Sequence, residues 1–212
     1  MSIRESLLRL GREMLASGAV AGTWGNLSAW DEAHRGFWIT PSGMDYRVLT
    51  ERDLILLDPE GRVIEGFRRP SSEVLLHARI YKARPDVRGI VHTHSVYATA
   101  HAVARTAIPA IVEDLVQIVG GMVETADYAL PGTLELALAA AEGLKERNAV
   151  LLANHGLVGI GNSLDEAWKV CQVVEKGAMI HAWSKMLGSP VLLNDEDVET
   201  MRQGYMTYYG QK

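Results

Sequence analysis

The sequence predicts a single α/β domain, on three observations. Strand-like and helix-like segments alternate from one end of the chain to the other. The 212 residues suit one large domain, and 48% hydrophobic against 22% charged residues supply a sizeable core. No internal repeat, low-complexity run or shift in composition marks a linker, so residues 1–212 read as one unit.

The elements follow from local patterns. Ser2 and Glu5 form a capping box, Ile3, Leu7, Leu10, Met14 and Leu15 share one face, and Gly18 can stop the helix predicted over 2–17. Strands are expected at 27–30, 37–40, 54–58 and 62–65, separated by glycine- and proline-bearing turns. Two serines after Pro70 open a helix that Pro85 stops after about Arg84. A strand over 89–93 leads into an alanine-rich helix over 96–104, and 108–112 reads as a short extended piece. A helix over 133–147 is followed by an apolar strand at 149–153 and its continuation at 158–160. Ser163 and Glu166 form a second capping box, ahead of a stripe through Leu164, Trp168, Cys171, Val174 and Ala182. A last helix over 195–209 carries Tyr205, Tyr208 and Tyr209, in a tail from about residue 190 that is expected to be mobile.

Composition narrows the function. The net charge of −5 is mild and no basic stripe points to nucleic acid. The acidic run Asp195-Glu196-Asp197 suits the positive end of a helix. One cysteine, Cys171, excludes an internal disulfide framework and lies in an apolar helical pattern, so a buried structural thiol is expected. No stretch reads as a signal peptide or a membrane span, and a cytoplasmic protein without membrane contact is expected.

Of seven histidines, three stand out. His92 and His94 lie two apart on a strand and therefore share a face, so their rings can converge. Both stand where a strand ends and a helix begins, the place where open α/β sheets put their sites. His155 follows an apolar strand in the same way, and Gly156 beside it lets a neighbour approach closely. Three ligands and an exchangeable position suit catalytic zinc. Glu73, just after Ser71 and Ser72, is the candidate oxygen ligand, although dipole and capping alone favour a glutamate in a first helical turn. His77, four residues on, shares that face and reads as packing against or supporting Glu73. His34 reads as solvated, His101 and His181 as hydrogen-bonded core or boundary residues. Three small turns, Gly25-Asn26, Ser42-Gly43 and Ser71-Ser72, offer donors for an anion if they meet in space.

An ordered series now becomes visible: Gly-Thr-Trp-Gly-Asn-Leu-Ser at 22–28, Thr-Pro-Ser-Gly at 40–43, Pro-Ser-Ser-Glu at 70–73, His-Thr-His-Ser at 92–95, Tyr-Ala-Leu-Pro-Gly-Thr at 128–133 and Asn-His-Gly at 154–156. The series resembles the class II aldolase/adducin superfamily, and within it the fuculose-phosphate aldolase and ribulose-phosphate epimerase group. The resemblance implies a three-layer α/β/α sandwich around a central, mostly antiparallel sheet, in a homotetramer with sites at subunit interfaces. It implies Zn2+, or another divalent metal such as Co2+ or Mn2+, on Glu73, His92, His94 and His155, and a sugar phosphate held by Gly25, Asn26, Ser42, Gly43, Ser71 and Ser72. It further implies aldol cleavage of a ketose 1-phosphate to dihydroxyacetone phosphate and an aldehyde through an enediolate, with Glu73 as the base. Related epimerases resemble this chain but carry aspartate at position 73.

Two positions depart from the fuculose aldolases. Glu113 stands where they carry a tyrosine that reaches a neighbouring site, and Pro131 where they carry an aromatic residue. A glutamate near position 113 resembles the methylthioribulose-1-phosphate dehydratases, so a dehydratase and a 4-epimerase stay open as alternatives. Glu113 is expected either to act as an acid/base or to cap a helix. Adducin-like heads, which keep the fold without the metal histidines, are a poorer match because all three histidines are present.

Overall fold

Side chains on successive strand residues point to opposite faces of a sheet, and here they feed two separate cores. The computed structural model describes residues 1–209. Eight strands form one sheet: β1 (Asn26–Asp31), β2 (Gly36–Ile39), β3 (Ile55–Leu57), β4 (Val63–Glu65), β5 (Gly89–Thr93), β6 (Thr125–Ala126), β7 (Ala149–Leu152) and β8 (Gly156–Gly161). Their spatial order is β4-β3-β2-β1-β5-β8-β7-β6, and every pairing is antiparallel except β6 with β7.

Helices α1 (Ile3–Ala16), α3 (Val96–Ala104), α4 (Glu113–Val119) and α6 (Leu164–Leu187) cover one face, on which Leu27, Val91, Leu151 and Leu157 are buried. Helices α2 (Val74–Ala83) and α5 (Leu134–Leu144) cover the other, over Ile39, Ile90, Val150 and Val158. This is the expected α/β/α sandwich in a single domain. A last helix, α7 (Asp195–Tyr208), packs on α4, where Arg202 Nη1 donates to the carbonyls of Gln117 and Ile118. Tyr205 packs against the core, and its ring stacks on Tyr209 with centroids 4.9 Å apart.

Several predicted boundaries move for identifiable reasons. The helix expected from Pro70 begins at Val74, because the Ser71 hydroxyl accepts from the Glu73 amide and residues 70–73 form a turn. Helix α5 ends at Leu144, where Lys145 takes a positive φ of 47° and Arg84 Nη1 ties down the carbonyls of Lys145 and Arg147. The extended piece at 108–112 is a single bridge, Ile108 to Val123. α4 and β6 were not predicted; seven and two residues give too little periodicity to read. The capping box at Ser2 forms as expected. The second forms by half: Ser163 Oγ accepts from the Glu166 amide, but the Glu166 carboxylate accepts from Asn162 instead. No helix among the described residues is long and apolar enough to cross a membrane.

Cys171 is buried in α6 with Sγ 3.5 Å from the Val91 carbonyl, and burial pushes its thiol pKa up to about 12. At pH 8 only roughly one such thiol in ten thousand is ionised, and the thiolate is the reactive form. A chromogenic disulfide reagent at pH 8 should therefore leave the native protein unlabelled and titrate one thiol after denaturation; rapid native labelling would show that Cys171 is not the inert core residue described here.

Candidate metal centre and its cavity

Strand β5 is paired on both sides, and this pairing builds the centre. His92 sits opposite Asn26 of β1 and opposite Val158 of β8. The neighbours run antiparallel, so the carboxyl end of β5 meets the start of β1 and the turn that enters β8. The rule for parallel sheets that singled out these strand ends therefore found the right place for a different reason. His155 belongs to the tight turn between β7 and β8, where Asn154 adopts φ 54°, a left-handed conformation that asparagine tolerates. Glycines make room for the rings. A Cβ on Gly156 would lie 2.2 Å from the Thr93 carbonyl oxygen and 3.0 Å from the His94 ring, and one on Gly25 would lie 2.7 Å from the His92 carbonyl oxygen.

The imidazoles converge through their Nε2 atoms. His92 Nε2 lies 3.0 Å from His94 Nε2 and 3.2 Å from His155 Nε2. His92 Nδ1 donates to the Leu157 carbonyl at 3.0 Å, which leaves a lone pair on its Nε2. Burial, with His92 and His155 as neighbours, pushes the His94 pKa down to about 3; burial and His92 push that of His155 down to about 4. Both rings are neutral at pH 7, so their Nε2 atoms can offer lone pairs to a cation. Glu73 completes the ring, with Oε2 3.2 Å from His92 Nε2 and Oε1 3.5 Å from His155 Nε2. Burial opposes its charge, but His92, His155 and the Asn26 amide outweigh burial and hold its pKa below the ordinary value. Glu73 Oε1 is buried and has no hydrogen-bond partner among the described residues. Nitrogen ligands about 2.0–2.1 Å from a tetrahedral zinc lie about 3.3 Å apart, so these side chains fit such an ion.

Glu73 occupies the N-cap of α2 rather than its first turn, and its side chain makes no cap hydrogen bond. Its carboxylate faces the histidines, so capping does not explain it. The same cavity, about 340 Å3, is lined by Gly25, Asn26, Ser42, Gly43, Ser71 and Ser72 together with Glu73, His94 and His155. The three small turns thus meet in space, held by a bridge between Pro41 and Pro70 and by the Ser71 amide donating to the Thr40 carbonyl. Asn26 is turned inward: its Nδ2 donates to Glu73 Oε2 at 2.9 Å. Pro131 lines the cavity too, as does Trp24, which sequence reasoning quoted without a role; its flanking glycines were the available signal.

Other candidates lie elsewhere. Glu113 is exposed in the first turn of α4 and is not part of this cavity within one chain, and its neighbour Asp114 pairs with Lys176. His101 Nε2 and His181 Nδ1 lie 2.8 Å apart between α3 and α6, the hydrogen-bonded core role expected of them. His34 is exposed and pairs with Asp31. Tyr208 and Tyr209 are exposed.

Residues 5–182 match the family model described as the class II aldolase and adducin N-terminal domain. The chain belongs to that family. The class II aldolase family chain is 38% identical to a 5-deoxy-D-ribulose 1-phosphate aldolase of Bacillus thuringiensis serovar kurstaki, over 97% of this chain and 96% of the relative. It is 34% identical to a 5-methylthioribulose-1-phosphate/5-deoxyribulose-1-phosphate aldolase of Rhodospirillum rubrum, over 98% and 93%. A solved structure of L-fuculose 1-phosphate aldolase matches with a TM-score of 0.93 and 38% identity, over 96% of both chains.

Gly156→Ala tests the glycine's place in this centre. Without touching a ligand, it should lower the affinity for Zn2+ at least tenfold, as read by competition with a chromophoric chelator and by metal content after dialysis. Unchanged affinity in a folded variant would mean that the rings do not depend on the close approach of β8.

Proposed function

We propose that this class II aldolase family chain is a metal-dependent aldolase that cleaves a ketose 1-phosphate into dihydroxyacetone phosphate and an aldehyde. The observation that carries this reading is the convergence of His92, His94 and His155 beside Glu73, at a cavity that Glu73, His94 and His155 share with three donor-rich turns. His92, His94 and His155, with Glu73, would hold a divalent metal, Zn2+ by preference and Co2+ or Mn2+ as substitutes. Once bound, the metal supplies a Lewis acid for the carbonyl oxygen that gains charge as C3–C4 breaks.

The rest of the chemistry belongs to side chains. Ser42, Gly43, Ser71 and Ser72, with the Gly25-Asn26 turn, hold the phosphate through hydroxyl and backbone donors, since no lysine or arginine among the described residues lines the cavity. Glu73 moves the proton at C3 of the dihydroxyacetone phosphate fragment. The extra methylene of glutamate over aspartate lets it serve that carbon, which is why we favour cleavage over 4-epimerisation. The relatives from Bacillus and Rhodospirillum carry names built on 5-deoxy and 5-methylthio pentuloses, so sugars with an apolar C5 end are the substrates to try first. Trp24 and Pro131 offer apolar wall for such an end.

A homotetramer with Glu113 reaching a neighbour's cavity completes the proposal. Its support is the exposure of Glu113 and the apolar surface left on α3 and α6 by Val96, Val103, Met179, Trp183 and Met186. A cytoplasmic setting accords with the lone buried Cys171. Sedimentation equilibrium should return about four times the chain mass of 23.2 kDa; a monomer would remove Glu113 from the mechanism.

The deciding assay incubates the Zn2+-loaded protein with ribulose, fuculose, 5-deoxyribulose and 5-methylthioribulose 1-phosphates and identifies the products. Equimolar dihydroxyacetone phosphate and aldehyde are expected. A dehydrated diketone would point to the dehydratase, and an uncleaved isomer to the epimerase. Glu73→Gln should lose about 10²–10⁴-fold in kcat while keeping most of its metal; complete metal loss would make Glu73 chiefly a ligand.

A further inference from the structure

Behind the centre, α2 and β1 interlock through a row of buried polar side chains. On α2 and its cap, Glu73, His77 and Tyr81 stand four residues apart and form one stripe. On β1, Asn26 and Ser28 stand two apart and share one face. Four helical residues advance about 6 Å and two strand residues about 6.7 Å, so the two rows interdigitate. Asn26 fits between Glu73 and His77, and Ser28 fits between His77 and Tyr81. The links measure 2.9 Å from Tyr81 Oη to Ser28 Oγ, 2.6 Å from Ser28 Oγ to His77 Nδ1, 2.5 Å from His77 Nε2 to Asn26 Oδ1 and 2.9 Å from Asn26 Nδ2 to Glu73 Oε2. None of the five residues is more than 6% exposed.

The direction of every bond is determined. A carboxylate only accepts, so Asn26 must present its NH2 to Glu73 and its carbonyl oxygen to His77. That oxygen only accepts, so His77 must carry its proton on Nε2. The ring is completely buried and its nitrogens meet only the Asn26 oxygen and the Ser28 hydroxyl, so as a neutral imidazole with its proton on Nε2 it presents Nδ1 as an acceptor. Ser28 therefore donates to Nδ1 and accepts from the Tyr81 hydroxyl. One tautomer and one amide orientation satisfy the whole row.

Resting on the aldolase reading for its kinetic consequence, we propose that His77 is a positioning residue: by holding the Asn26 carboxamide in one orientation, it fixes Glu73 with Oε2 held by Asn26 beside His92 and Oε1 turned to His155. The reaction then needs His77 to place the group that moves the proton, and His77 itself touches no substrate. Glutamine can reproduce the Nε2–H donor of this tautomer, whereas asparagine is too short to reach Asn26 and leucine has no donor.

The test uses the full chain loaded with Zn2+ or Co2+. In the Zn2+ form with 15N-labelled histidine, the ring signals lost in His77→Gln identify His77, and they should report a neutral Nε2–H tautomer at pH 7. An Nδ1–H tautomer or an imidazolium overturns the proposal. In the Co2+ form, His77→Asn and His77→Leu should bind a full equivalent of metal but change the visible spectrum, because Glu73 sits differently, while His77→Gln keeps the parent spectrum. With the ketose 1-phosphate that is cleaved, kcat should fall 10–100-fold in His77→Asn and His77→Leu with KM within about threefold, and recover in His77→Gln. Equal kinetics and spectra for Gln, Asn and Leu variants would also overturn it. If His77→Leu fails to fold, the Gln and Asn pair carries the comparison. If no ketose 1-phosphate is cleaved, the aldolase reading falls while the tautomer and the Co2+ spectra still decide the role of His77.

Discussion

The structure depends on the antiparallel pairing of β5 between β1 and β8. That pairing sets Asn26 opposite His92 and Val158 on its other side, and it places the turn carrying His155 beside the same strand end. Donors separated by more than sixty residues in the chain reach one point because two backbone ladders leave them no other register. A slip of one residue would turn His92 and His94 to the α1/α3/α6 face and put Thr93 in their place. The apolar residues hold the register, since Val91 and Ile90 feed opposite cores.

Such an arrangement is locally unfavourable. Acceptor nitrogens and a carboxylate face one another out of water, and Glu73 Oε1 and His155 Nδ1 are buried without hydrogen-bond partners among the described residues. A buried polar atom left unpaired costs about 1–3 kcal/mol. Helix α2 also forgoes a side-chain cap at Glu73, a loss of about 1 kcal/mol. Two large apolar cores offset these terms, as is usual where a site breaks rules that the rest of the fold obeys.

Much of this was legible in the residues themselves. The strand bearing His92, with His94 just past its end, and the helix after it were read with their observed ends, 89–93 and 96–104, because alternation and an alanine-rich pattern are strong local signals. The series of short motifs implied the layered fold and the joint location of the turns. Local pattern could not reveal α4, β6 or the early end of α5, whose limits are set by contacts far away in the chain. Spacing placed Glu73 and His77 on one face and suggested that they pair directly; instead Asn26 comes between them, supplied by a strand whose register the helix sequence does not encode.

That interposed amide changes how the two glutamates compare. Glu73 is held by a chain of bonds with only one consistent direction, so its orientation is settled before any ligand arrives, and preorganisation of this kind lowers the cost of placing a group for proton transfer. Glu113 has no such support within one chain: it is exposed at the start of α4, beside an Asp114 that is already paired with Lys176. A side chain that must act from there needs its geometry from outside the chain. In the proposed reaction, proton transfer would therefore fall to the rigid glutamate, and recognition of the variable end of the sugar to surfaces such as α4 that a neighbouring subunit would complete. The first task asks for one fixed geometry shared by every substrate of the reaction. The second would draw on residues free to vary, and the resemblance to the fuculose aldolases implies such departures at positions 113 and 131.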